Sequence, residues 1–181
     1  MRTATAPWTA DELKRLPDGW RYEIDRGELV IMAPAGRWHT RITAAITRHL
    51  GNFVHDHQLG EVDSGEVGVY IERHPAETLR GIDVAFFSTA KVAEMADSSG
   101  FLDVLPDLAV EVHEATDPVL LRKVDQYRAA GVGSVWVVDP QVQSLTQYWH
   151  GAEPRTLTER GDVVQDPVLP GFACRLQDFF E

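Results

Sequence analysis

Gly81-Ile82-Asp83-Val84-Ala85-Phe86-Phe87 and Leu108-Ala109-Val110-Glu111-Val112 are two short runs rich in Val, Ile, Leu and Phe, each interrupted by one carboxylate. Continuous apolar runs of this length read as strands buried on both faces. An ionised carboxylate placed there costs several kcal/mol to desolvate unless it is paired or binds a metal. Two such strands point to a divalent-metal site built on a sheet. A buried ion pair with Lys123 is the alternative reading of the same residues.

The next element supplies that lysine. Asp117-Pro118 has the form of an N-cap followed by proline in the first helical position. The helix is expected to run to about Ala130, with Leu120, Leu121, Val124 and Tyr127 inward and Gly131 closing it. Lys123 and Tyr127 are i, i+4 and share a face. His113, two residues after Glu111, falls on the same side of its strand. Asp107 lies four residues before Glu111, ~13 Å along a strand, too far to share one ion, and reads as strand-entry chemistry. Mg²⁺ needs only one or two carboxylates and keeps several waters. Asp83 and Glu111 meet that demand, and the Val112 carbonyl could add a third oxygen.

Working outward, Thr9-Ala10-Asp11-Glu12 has capping-box spacing for a short helix from about Ala10 to Leu16. Tyr22-Glu23-Ile24 and Glu28 to Met32 flank Asp25-Arg26-Gly27 as a β-hairpin. From Trp38 to Asp56 the apolar residues Ile42, Ala45, Ile46, Leu50 and Phe53 recur at helical spacing. Arg41 and Arg48 share the polar stripe, a solvated face with phosphate contact as the alternative. Glu61-Val62 and Val67 to Ile71 read as paired strands around Ser64-Gly65. A loop from Arg73 to Thr78, a helical turn from Lys91 to Ala96 and a loop from Asp97 to Gly100 follow. Ser134 to Val138 and Ser144 to Trp149 read as strands, and Val168 to Phe180 as a return segment and cap. This order predicts an α/β sandwich with a mixed sheet, one domain over residues 1–181.

Bulk properties narrow the function. The chain has 181 residues, 44% hydrophobic, so it has enough apolar surface for a full core. Its one cysteine, Cys174, excludes an intrachain disulfide and suits a reducing compartment. The first eight residues lack the apolar stretch of a signal peptide, and no run approaches a membrane span. A soluble, cytoplasmic protein is expected. The net charge of −11 argues against a broad nonspecific grip on duplex DNA. Arg37, Arg41, Arg48 and Arg80 are the candidate local phosphate contacts.

The pattern resembles the Uma2 family within the PD-(D/E)xK nuclease-like superfamily. The resemblance is carried by Tyr22 to Leu29, Ala33-Pro34, His39, Ile82-Asp83-Val84 and Pro106 to Val112. It continues through Lys123 with Tyr127, Gly131-Val132, Trp136 to Pro140 and Leu169-Pro170-Gly171. It implies a restriction-endonuclease-like sandwich, a central mixed β-sheet flanked by helices, with an N-terminal β-hairpin. It also implies a Mg²⁺- or Mn²⁺-dependent endonuclease acting on DNA. Asp83 and Glu111 would be the metal ligands, Lys123 would have migrated from sheet to helix, and Glu23 would be an accessory catalytic group. Two positions depart from the family. Ile82 stands where proline is usual, and Glu114 stands where serine is usual, adding a charge that is a further ligand or marks a drifted site. His113 at the old lysine position is a possible substitute.

Several residues carry a plainer reading. His39 at a helix start reads as a cap or packing residue, with a site role as the alternative. His55-Asp56-His57 reads as a solvated helix end, and Trp136 and Trp149 as core or interface. Exposed apolar surface on Val135-Trp136-Val137 and Tyr148-Trp149 would support a homodimer or higher homo-oligomer. A non-catalytic homo-oligomeric scaffold with a degenerate site, and a phosphodiesterase acting on a small molecule, are the competing functions.

Overall fold

The computed structural model describes residues 6–17, 20–95 and 100–181; readings made for residues 1–5, 18–19 and 96–99 lie outside the described residues. After the short α1 (Ala10–Leu13), β1 (Arg21–Asp25) and β2 (Glu28–Met32) form the expected hairpin, paired from Arg21↔Met32 to Asp25↔Glu28. Its two-residue loop puts Arg26 at φ 50 and Gly27 at φ 79, the left-handed geometry that matches the strands' twist. α2 (Arg37–Asp56) buries Ile42, Ala45, Ile46, Leu50 and Val54. Phe53 is only partly buried and meets the Phe172 ring edge-on at 5.4 Å.

The segment after α2 departs from the expected hairpin. β3 (Gly60–Glu72) is a single strand antiparallel to β4 (Thr78–Ser88). Ser64-Gly65 is not a turn but the start of a bulge, where pairing steps from Ser64↔Val84 to Val67↔Ile82. The reason lies in β4. It is long enough to pair with both halves of β3, so a bulge keeps the apolar register where a turn would leave one half unpaired. Beyond α3 (Thr89–Glu94), β5 (Leu108–Val112) runs antiparallel to β4 and parallel to β6 (Ser134–Asp139). The crossover is α4 (Pro118–Ala130), capped by the Asp117 side chain, which accepts from the Val119 amide. β7 (Ser144–Trp149) and β8 (Arg155–Leu157) complete an eight-stranded mixed sheet, ordered β2-β1-β4-β5-β6-β7-β8 with β3 on the other edge of β4.

One feature of this order positions the site. β1 meets β4 at Leu79, and β5 meets it from Val84 to Phe86. Because β3 occupies the opposite edge, β1 and β5 share one edge of β4 and diverge between those contacts. Residues 80–83 face the gap. Backbone groups left without a strand partner there must find side chains.

The core has two parts. On one face α2 packs with Val110, Trp136 and a C-terminal unit made of β9 (Val163–Asp166), β10 (Leu169–Arg175) and a 3-10 helix at Leu176–Phe179. On the other, α4 packs Leu120, Val124 and Tyr127 over Ile82, Phe87, Ala109 and Val135. The expected inward stripe of α4 is corrected at one position: Leu121 is 38% exposed, while Lys123 is buried on the face it shares with Tyr127. Val135, Trp136 and Val137 are fully buried, so they offer no dimer surface. They are covered by α4 on one side and by α2 and the C-terminal unit on the other. Asp107 does act at strand entry, accepting from the Ser88 amide at 2.7 Å and pairing with Lys91. Among the described residues, no helix is long and apolar enough to cross a membrane.

Buried Asp166 ties the C-terminal unit to the sheet. Its Oδ2 accepts from Ser134 Oγ at 2.6 Å, Trp136 Nε1 at 2.7 Å and Trp149 Nε1 at 3.1 Å. Its Oδ1 accepts from the Val168 amide at 3.0 Å. Asp166→Ala leaves several buried donors unpaired and is expected to cost about 3 kcal/mol. Urea unfolding checks this; an unchanged midpoint would show that water replaces the carboxylate freely.

Candidate active site

The gap between β1 and β5 is filled by side chains. Glu23 reaches from β1 and takes the Gly81 amide at 2.9 Å. Asp83 reaches from β4 and takes the Val112 amide at 2.8 Å. Continuing the Val84↔Val110 register by one residue sets Asp83 opposite Glu111. The two carboxylates singled out in the sequence therefore stand side by side across neighbouring strands. The same carboxylates that line the gap satisfy its orphaned backbone donors.

Lys123 enters from above on α4. Leu120, Val124 and Tyr127 fix the helix's rotation, and Lys123 shares their stripe. Its Nζ donates to the Gly81 carbonyl at 2.7 Å and contacts Glu23 at 2.8 Å and Glu111 at 3.0 Å. Three donors thus have three acceptors. The Tyr127 hydroxyl donates to Glu111 Oε1 at 2.7 Å.

His39, from the first turns of α2, lies with Nε2 3.0 Å from Asp83 Oδ2. It belongs to the site and is not simply a cap. Its buried Nδ1 has no hydrogen-bond partner among the described residues. Glu66, at φ 70 in the β3 bulge, points the same way and is closely paired with Arg21. Gly81 makes room for it: a Cβ there would sit 2.5 Å from Glu66 Oε2. Neither Glu66 nor Arg21 was singled out from the sequence. The available signal was Gly81, two residues before the strand aspartate. Glu23, His39, Glu66, Asp83, Glu111 and Lys123 all line one cavity of about 260 Å³.

Burial and neighbours sort the charges. Burial lifts the Glu111 carboxyl; Lys123 opposes this but Asp83 and Glu23 add to it, and it is pushed up to about 8. Burial raises Glu66 too, reinforced by Asp83. Glu23 is held below the usual carboxylate range, since Lys123 and Arg80 outweigh its burial. Asp83 is likewise lowered: burial is overcome by His39, the Val112 amide and Lys123. Burial works against charge on Lys123, but Glu111 and Glu23 keep it a cation, with its pKa raised. Without metal the cavity therefore tends to hold a proton on Glu111, while Glu66 is shifted in the same direction. A dication beside Asp83 and Glu111 would take the place of that proton.

Among the described residues, no group of three His, Cys, Asp or Glu side chains is arranged as a ready-made metal cage. Mg²⁺ does not need one, since it takes one or two carboxylates and fills its shell with water and phosphate oxygens. The oxygen-rich donor set around Asp83 and Glu111 fits such a hard cation.

The structure redistributes the other candidates. Arg80 is not a nucleic-acid contact: it is 1% exposed. Its guanidinium pairs with Glu23 at 2.9 Å and Asp25 at 2.9 Å and donates to Gln126 at 2.6 Å. It sits under the site, where it shares the compensation of buried Glu23 with Lys123 and that of half-buried Asp25 with Gln126 and Arg122. Arg37, Arg41 and Arg48 are exposed along α2 and do not line the cavity. His113 is exposed at the rim, 3.5 Å from Asp117. Glu114 lines a neighbouring cavity rather than this one. His57 caps its own helix, with Nδ1 2.9 Å from the Phe53 carbonyl.

A mixed sheet with a carboxylate pair at a strand divergence and a lysine delivered from the crossover helix defines a restriction-endonuclease-like, nuclease-type fold. The chain belongs to the Uma2 family, described as "Putative restriction endonuclease", whose model matches residues 10–177. Its fold is shared with the crystal structure of "a putative nuclease belonging to DUF820" from Anabaena variabilis. The TM-score is 0.77 at 17% identity, over 96% of this chain and 98% of that one. No curated protein matches the chain.

Proposed function

We propose that this chain is a Mg²⁺- or Mn²⁺-dependent endonuclease that hydrolyses DNA phosphodiester bonds. The observation that carries the reading is the Asp83–Glu111 carboxylate pair with cationic Lys123 held 3.0 Å from Glu111. Asp83 and Glu111 would hold the ion. When bound, a divalent cation polarises the phosphate and makes a bound water more acidic.

The chain's own groups do the rest. Lys123 places a fixed positive charge beside the attacking water and the phosphate oxygens. Glu23 anchors the Lys123 ammonium against the Gly81 carbonyl, so the cation does not wander. His39 orients Asp83 through Oδ2. Arg21, now paired with Glu66, is the exposed-side cation available to a phosphate at the cavity mouth.

Calorimetric titration of Mn²⁺ and Mg²⁺ into wild type and Asp83→Asn tests the reading, followed by cleavage assays on single-stranded, duplex and branched DNA. Binding at micromolar to millimolar metal that the variant loses, with cleavage lost in parallel, is the expected result. Metal binding unaffected by Asp83→Asn would remove the ion from this site. A non-catalytic module has one observation in its favour: every Lys123 donor already has a protein acceptor. Metal binding without cleavage of any of these substrates would select it.

A further inference from the structure

Beside the carboxylate cavity lies a second one of about 500 Å³ that the proposed chemistry does not use. His113 lines both. Trp38 lines the second cavity and is followed directly by His39, the residue that contacts Asp83. An aromatic wall and the histidine that touches Asp83 are thus set on the same turn of α2. Trp38 is 59% exposed, an unusual cost for a large apolar ring with no role.

The lining selects among ligands. Trp38 and Phe180 present aromatic surface, and the exposed side chains of Gln141 and Gln143 present amide donors and acceptors. Glu114 adds an acceptor. Among the described residues, neither lysine nor arginine lines this cavity, and the Glu114 carboxylate repels a phosphate. A flat, uncharged, aromatic group with hydrogen-bonding edges matches this chemistry. His113, shared by the two linings, sets this cavity beside the carboxylates, as a base carried on the same strand as a phosphate held there requires.

We propose that this cavity receives an unpaired nucleobase, stacked on Trp38, next to the phosphate at the Asp83–Glu111 site. The inference rests on the nuclease reading and deepens it: the substrate is single-stranded or locally unpaired DNA. A base inside a duplex keeps both faces stacked and its edge paired, so it cannot enter. The net charge of −11 fits the same conclusion. Grip on an unpaired strand comes in large part from base–aromatic stacking, which needs fewer cations than the phosphate contacts that hold a duplex.

The test measures anisotropy of a labelled single-stranded 12-mer with wild type, Trp38→Phe and Trp38→Ala, in Ca²⁺. Parallel arms use the same 12-mer with one abasic site, scanned along it, and the matching duplex. Wild type is expected to favour the single strand over the duplex. Trp38→Ala is expected to lose about ten-fold in affinity for it, while Trp38→Phe retains most of it. One abasic position is expected to weaken wild type but not Trp38→Ala, since both changes remove the same stack. Equal affinities for wild type and Trp38→Ala, equal abasic penalties in both, or no binding of the single strand would each overturn the proposal. Cleavage in Mn²⁺ is scored separately. Cleavage that does not depend on Trp38 overturns the base pocket alone, whereas Trp38-dependent binding without cleavage supports the pocket and overturns the nuclease reading.

Discussion

Replacing Glu111 by glutamine is expected to abolish metal-dependent cleavage, by about a thousand-fold or more, while making the metal-free protein more stable above neutral pH. The two effects have one origin. Glu111 starts from an ordinary value of 4.5 and is pushed up to about 8 in the fold, so between these values the folded chain binds more protons than the unfolded one. Stability from this group is therefore full below about pH 4.5 and declines as pH rises toward 8, by at most about 1.4 kcal/mol per pH unit. Glutamine has no proton to lose, and its oxygen and amide can still meet Lys123 and the Tyr127 hydroxyl. Thermal melts at pH 5 and pH 8 check this. The variant is expected to match wild type at pH 5 and to exceed it by about 3.5 kcal/mol at pH 8 without metal. Millimolar Mg²⁺ should restore wild type at pH 8 and leave the variant unmoved, because only the carboxylate binds the ion. Identical melting curves at both pH values would show that Glu111 is ionised in the metal-free fold. Calorimetry in two buffers of different ionisation enthalpy adds a direct count: below pH 8, metal binding to wild type should release a proton.

Removing Arg80 should be the most damaging single change to the fold near the site. Arg80→Ala takes the guanidinium from buried Glu23, which keeps Lys123, and from half-buried Asp25, and is expected to cost about 3 kcal/mol. Glu23 also loses the contact that fixes it beside Lys123, so activity should fall even at temperatures where the variant stays folded. A triple variant, Arg80→Met with Glu23→Gln and Asp25→Asn, removes the charges together. It is expected to recover most of the lost stability and none of the activity. A triple variant no more stable than Arg80→Ala would show that shape, not charge compensation, is what Arg80 provides.

The parts of this architecture that could be read from the chain are those written in local pattern. Asp83 and Glu111 stood out because each is a lone charge in an apolar strand, and the structure sets them opposite one another. The α4 stripe was legible through Leu120, Val124 and Tyr127. Leu121 was also set inward by its hydropathy, although it falls outside the i, i+3, i+4, i+7 phase that Leu120, Lys123, Val124 and Tyr127 follow. Arg80 misled because a cation at the start of an apolar strand looks like a surface contact; its partner Glu23 is 57 residues away. Glu66 was illegible because its direction depends on a bulge, which exists only because β4 is long enough to pair with both halves of β3. The short, polar strands β8 and β9 carry little periodicity of their own and take their form from β7 and β10.

The C-terminal unit has a consequence for the chain's manufacture. The residues of the carboxylate cavity, from Arg21 to Lys123, are all synthesised before Val164, Leu169, Phe172, Leu176 and Phe179, which pack against Trp136 and α2 to close one face of the sheet. A ribosome-bound chain thus carries its reactive groups well before it has the apolar cover that holds the sheet in shape. The sheet on which β1 and β5 diverge lacks its cover on that face until these later residues have been made.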